Sequence, residues 1–123
     1  MADLTLLFTA IIFVCIDAIY LTLMSSYMSN QVKLVQGTPI KMNLLAAALC
    51  YVFLVFGIYY FIIKPKRSVN DAFLLGIVIY SVYELTNLAI LSKWSVFTVL
   101  IDTLWGGVLF ATTTYLVRAL SRF

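Results

Sequence analysis

Three acidic side chains stand inside apolar runs of this sequence: Asp17 in IIFVCIDAIYL, Glu84 in SVYELTNLAIL and Asp102 in FTVLIDTLWGG. A charged group in hydrocarbon costs roughly 2.5–3.5 kcal/mol on insertion scales, so such residues turn away from lipid and mark proton or ion pathways. No Lys or Arg lies in an apolar run at their level. Mutual repulsion and lost hydration both disfavour three ionised carboxylates. At least one is therefore expected to carry a proton at neutral pH, or a cation to sit among them. The chemistry this suits is the binding of protons or small cations. Unaided redox or hydrolytic catalysis is not expected, because the chain has no His, which is the commonest general base near neutral pH and the commonest metal ligand. No nucleophile is paired with a base, and Cys15 and Cys50 show no metal spacing, so both read as small apolar filler. No metal and no cofactor is implied.

The elements that must position these acids follow from composition. Of 123 residues, 64% are hydrophobic and 11% are charged, far from the balance of a water-soluble domain. Four apolar runs predict four membrane-spanning helices, Thr5–Tyr27, Asn43–Ile63, Asp71–Ser92 and Trp94–Leu120. Each is at least about 20 residues, enough to cross ~30 Å of hydrocarbon as a helix, whereas a barrel strand needs only about ten. The fold class is all-α, an up-down-up-down four-helix transmembrane bundle, and residues 1–123 form a single integral membrane domain. The first run has no basic residue before it and no small-residue cleavage site after a short core, so it reads as a retained span, not a cleavable signal. The segment MSNQVKLVQGTPIKM is expected to be a loop carrying a Gly37–Thr38–Pro39 turn, and KPKRSVN a second loop. Ser92–Lys93 barely separates the last two spans, which predicts a tight antiparallel hairpin. Lys64, Lys66, Arg67, Arg118 and Arg122 fall on one side and Lys33, Lys41 and Lys93 on the other, which predicts both termini in the cytoplasm. The formal charge of +3 comes from these flanking residues and suits lipid headgroups. Nothing in it indicates nucleic acid.

Counted from the span ends, Asp17, Glu84 and Asp102 each fall ~12–15 Å below the same boundary, close to mid-membrane, and Tyr51 falls level with them. Steps of three and four residues put Tyr80, Tyr83, Glu84 and Asn87 on one face, Thr98, Asp102, Trp105 and Gly106 on another, and Phe13, Asp17, Tyr20 and Met24 on a third. Gly106, Gly107 and Ala111 would admit a close helix neighbour, and Ala46, Ala47 and Ala48 offer a small face. The expected site is Asp17, Glu84 and Asp102, supported by Tyr20, Tyr51, Tyr80, Tyr83, Thr86, Asn87, Thr98 and Trp105. The bland alternative is interhelical hydrogen bonding, about 0.6 kcal/mol per bond on average in one measured system. Three acids are an expensive way to obtain that. Trp94 and Tyr27 read as interfacial anchors, as do Tyr59, Tyr60 and Phe61. Thr112–Thr114 are expected to bond back within their own helix.

IDAIYL, NLLAAALCYVFLVFGIYY, YELTNLAIL with Trp94 three residues on, and VLIDTLWGG together resemble a family of small four-span membrane proteins catalogued as a domain of unknown function, found mainly in bacteria. The resemblance covers nearly the whole chain. Tyr20 stands where the family often has Trp, and Glu84 where it often has Asp, which keeps a carboxyl but lengthens its reach by one methylene. The resemblance marks Asp17, Tyr83, Glu84, Thr86, Asn87, Asp102, Trp105 and Gly106, and implies no established activity. Its relatives often neighbour genes of fatty-acid modification, which implies lipid chemistry as the alternative to ion handling: a lipid-binding accessory protein or enzyme, its acids lining the polar end of the ligand. Four spans are few for a transporter, so a homo-oligomer or a minimal pore through the bundle is expected.

Overall fold

The computed structural model describes residues 2–121; Met1, Arg122 and Phe123 fall outside that range, so the part of the charge count that rests on Arg122 and the N-terminus does too. The described chain runs α1 (Ala2–Leu23), α2 (Ser25–Gln36), α3 (Leu44–Ile58), a π-helical turn (Tyr59–Ile63), α4 (Val69–Ile90) and α5 (Val96–Leu120). Four stretches are long and apolar enough to cross a membrane: Leu4–Leu23, Leu44–Ile63, Val69–Ile90 and Val96–Leu120. The protein is an all-α, multi-pass membrane bundle. Outward side chains such as Leu23, Leu45, Phe53 and Ile90 are apolar and largely uncovered, a surface suited to lipid and not to water.

Each helix start has a local cause. Asn43, Ser68 and Ser95 are N-caps whose side chains accept from the backbone N–H groups of Ala46, Asp71 and Thr98, satisfying donors the first turn leaves free. Asp71 in the first turn of α4 also accepts from Arg67 Nε at 2.9 Å. Pro65 has no N–H to continue α3. The helix ends instead in a π turn, with Lys64 N–H donating to Tyr59 C=O at 2.8 Å. Lys66 then takes a left-handed φ of 59°.

The main departure from the sequence expectation is α2. MSNQVKLVQ is helix, not loop. The first span ends at Leu23, and the backbone ladder continues almost unbroken, Met24 N–H to Tyr20 C=O and Met28 N–H to Met24 C=O, each at 2.9 Å. The break at Met24 falls where Thr22 and Ser25 side chains bond back to Ala18 and Thr22 carbonyls, a competition that bends helices. Gly37 closes α2 with a left-handed φ of 78°, the conformation a residue without Cβ adopts freely. The turn read at Gly37–Thr38–Pro39 thus ends a helix.

Packing runs in the order α3, α1, α5, α4, and α3 with α4 is not one of the principal packed pairs. Phe13 of α1, Ile58 of α3 and Leu109, Phe110 and Val117 of α5 are fully buried. The Phe13 ring meets Phe110 edge-on at 5.4 Å, an arrangement favoured by the ring quadrupoles. Helices α4 and α5 touch at their backbones. A Cβ on Gly76 would lie 2.1 Å from Gly106 C=O, and one on Gly106 would lie 2.3 Å from the Tyr80 ring. Gly106 and Gly107 serve the close approach their spacing predicted, but their partner is Gly76. By contrast Ala46 and Ala48 are exposed and Ala47 is half-buried.

Gly76→Ala is expected to force α4 from α5 and to lower stability by about 1–3 kcal/mol. Gly57→Ala, which meets nothing within 4 Å, should be neutral or stabilising by up to about 1 kcal/mol. Thermal unfolding in detergent checks both.

Candidate functional site

Asp17, Glu84 and Asp102 are 7%, 1% and 9% exposed, and helices α1, α4 and α5 bring them together. Asp17 is held by α3 and α5: Tyr51 donates to Oδ2 at 2.5 Å and Trp105 Nε1 to Oδ1 at 2.9 Å. Tyr20 stacks flat on Trp105, centroids 4.4 Å apart, and donates to Asp102 Oδ1 at 3.2 Å. The buried Glu84 and Asp102 carboxyls are neighbours, Glu84 lying in the field of Asp102. Trp94 Nε1 donates to Glu84 Oε1 at 2.7 Å. Two polar groups therefore meet across the Trp105–Tyr20 ring stack, Tyr51 with Asp17 and Trp105 on one side and Tyr20 with Asp102, Glu84 and Trp94 on the other, and the Tyr20 hydroxyl lies in the field of all three acids.

Depth differs from the sequence estimate. Asp17 and Glu84 lie six residues before the ends of α1 and α4, and Asp102 six after the start of α5. That is about 9 Å from the helix ends at the α2 end of the molecule. The layer is off-centre because these helices end earlier than their apolar runs do.

A second cluster sits between this layer and the α2 end. Thr98, one turn before Asp102 on α5, is fully buried. Its hydroxyl meets Tyr27 at 2.8 Å, Ser95 at 2.8 Å and Gln31 Oε1 at 2.7 Å. Gln31 also accepts from Ser95 N–H at 3.2 Å and donates to Lys93 C=O at 3.0 Å. Helix α2 thereby clamps the 91–95 turn, and that turn presents Trp94 to Glu84.

The sequence-derived candidates divide. Tyr20, Tyr51, Thr98 and Trp105 join the clusters. Tyr80 is partly buried, its ring over Gly106 and edge-on to Phe110 at 6.4 Å, in the field of Asp17 and Asp102. Asn87 is half-buried one turn beyond Glu84. Tyr83 and Thr86 point outward: Tyr83 is 59% exposed, and Thr86 bonds back to Val82 C=O at 2.6 Å. Two residues read as interfacial anchors, Trp94 and Tyr27, are instead hydrogen-bonded into the interior. Gln31 was hidden in the supposed loop. Its signal was the i, i+4 series Tyr27, Gln31, Val35, a helical face whose buried members are partly polar. Of the threonine run, Thr114 bonds back to Phe110 C=O at 2.8 Å, while the buried Thr113 hydroxyl has no partner.

A family model described as Predicted membrane protein (DUF2177) matches residues 3–118. No curated protein and no solved structure matches the chain.

Asp17→Leu orphans the Tyr51 hydroxyl and the Trp105 indole N–H, each costing about 1–3 kcal/mol. Asp17→Asn keeps an acceptor oxygen. Thermal denaturation is expected to show the leucine variant clearly less stable than the asparagine variant.

Proposed function

The chain belongs to the DUF2177 family of predicted membrane proteins, and we propose that it handles protons through its intramembrane carboxyls. The observation that carries this reading is the pairing of two buried carboxyls, Glu84 beside Asp102. Two neighbouring carboxylates without water repel one another, which favours a proton held by the pair. Asp17 differs, because its two oxygens already accept from Tyr51 and Trp105. The exchangeable proton is assigned to the pair.

A run of groups able to relay a proton leads away from the pair. Thr98, Ser95, Tyr27 and Gln31 lead from Asp102 toward the α2 end, and each hydroxyl can both donate and accept. Toward the opposite end stand Phe13, Phe110, Leu109 and Ile58, all fully buried, an apolar layer of the kind that gates by excluding water. We further propose that both termini and the basic segment Lys64–Arg67 lie in the cytoplasm. The hydroxyl ladder then opens to the outside.

Reconstituted liposomes carrying an internal pH dye test this. An imposed proton gradient should dissipate faster with wild-type protein than in empty vesicles. Glu84→Gln should slow that by at least about tenfold, since it removes the intramembrane acid. Asp71→Asn, at the exposed pair with Arg67, should not. Equal rates for Glu84→Gln and wild type would contradict the proposal.

A further inference from the structure

We infer that the end of the molecule opposite the carboxyl layer carries a seat for one phospholipid with an anionic headgroup, between the π turn and α4. The seat rests on a groove, a charge distribution and their order in depth. A groove of about 410 Å³ runs beside α4, lined by Phe61, Ile62, Leu74, Leu75 and Val78, with Arg67 and Asp71 at its mouth. It adjoins a second hollow of about 510 Å³, to which Tyr60, Phe61, Lys64, Pro65 and Arg67 contribute. Phe61 and Arg67 line both, so the two are one surface. Asp71, Leu74, Leu75 and Val78 follow one another at steps of three and four along α4, so they form one stripe. It begins polar at the helix start, turns apolar about 4.5 Å deeper at Leu74 and stays so to Val78, about 10 Å below Asp71. That gradient matches a headgroup above and an acyl chain below.

The charge at the mouth is positive. Lys64, Lys66, Arg67 and Arg118 stand at this end, and the one acid lining the groove, Asp71, is already paired with Arg67 Nε. The Arg67 guanidinium is 60% exposed, leaving its other N–H groups for phosphate oxygens. Arg118 donates to Arg67 C=O, which fixes the loop backbone below the headgroup. The Lys64 ammonium sits 5.6 Å from the Tyr60 ring centroid, within cation–π range, and so is held near the mouth. The π turn bears on this directly. Its wider winding, closed by Lys64 N–H to Tyr59 C=O, displaces Tyr60, Phe61 and Lys64 from where a regular α-helix would carry them. Such bulges often accompany binding sites. Phe61, Leu74 and Val78 are each more than half exposed, so an acyl chain has apolar surface to cover.

Native mass spectrometry of the detergent-solubilised protein decides. Titration with phosphatidylglycerol and with phosphatidylcholine of identical chains should show one tightly held phosphatidylglycerol and at least about tenfold weaker phosphatidylcholine, the preference two basic contacts give. Lys64→Gln should reduce the phosphatidylglycerol affinity several-fold and Arg67→Gln at least as much. Lys93→Gln, at the far end, should leave it unchanged. Val78→Trp fills the groove without altering charge and should weaken both lipids. Equal affinity for the two lipids, or Lys64→Gln and Val78→Trp both binding like wild type, would overturn the inference. Lys64→Gln removes only a ring contact, so it keeps the test open should Arg67→Gln fail to fold.

Discussion

A carboxyl group inside a membrane has no water to satisfy it, so the protein must supply every hydrogen bond it makes. Much of this molecule follows from meeting that demand for Asp17, Glu84 and Asp102. Tyr51 ties α3 to α1 through Asp17, and Trp105 ties α5 to the same carboxyl. Trp94 leaves the 91–95 turn to reach Glu84, and α2 holds that turn through Gln31. The donors are mostly aromatic. A Tyr or Trp brings a single polar atom on a large apolar body, so it can serve a buried acid and still pack against hydrocarbon. Once these donors are counted, the Glu84 and Asp102 carboxyls still stand side by side, and the proposed function gives that pair its proton.

The two halves of the bundle differ in kind. Near the α2 end the interior is hydroxyls, amides and carboxyls. Toward the 64–68 end it is mostly Phe13, Ile58, Leu109, Phe110 and Val117, with the hydroxyls of Thr9, Thr113 and Thr114 buried among them. Close packing there depends on glycine: Gly76 against Gly106 brings two backbones into contact, which gives the van der Waals attraction that helices in lipid rely on. The same end carries most of the described basic side chains and the π turn. The proposed proton pair and the proposed lipid seat thus lie toward opposite ends of the bundle.

The spans were legible because continuous apolar runs of about 20 residues admit few other structures. The acids were legible as a group because charge in an apolar run is costly wherever it falls. Other features were hidden for physical reasons. Helix α2 buries Gln31 where a hydrophobic pattern would look for Leu, so its face reads as polar. Trp94 and Tyr27 are residue types that membrane interfaces favour, and composition alone does not tell an anchor from a donor. Tyr83 was grouped with Glu84 by helical steps, yet adjacent residues lie about 100° apart around a helix, so only one of the two can face the interior squarely. Gly76 carries no mark in the sequence of the carbonyl it meets. The π turn is a choice of hydrogen-bond partner that Pro65 permits but does not specify.

The most direct measurement is the infrared carbonyl stretch of protonated carboxyl groups, recorded in lipid at neutral pH. Wild-type protein should show a band from the Glu84–Asp102 pair. Glu84→Gln and Asp102→Asn should each abolish it, because either amide gives the remaining carboxylate a donor and removes its need for a proton. A wild-type spectrum without that band, or a band that survives both substitutions, would contradict the shared proton.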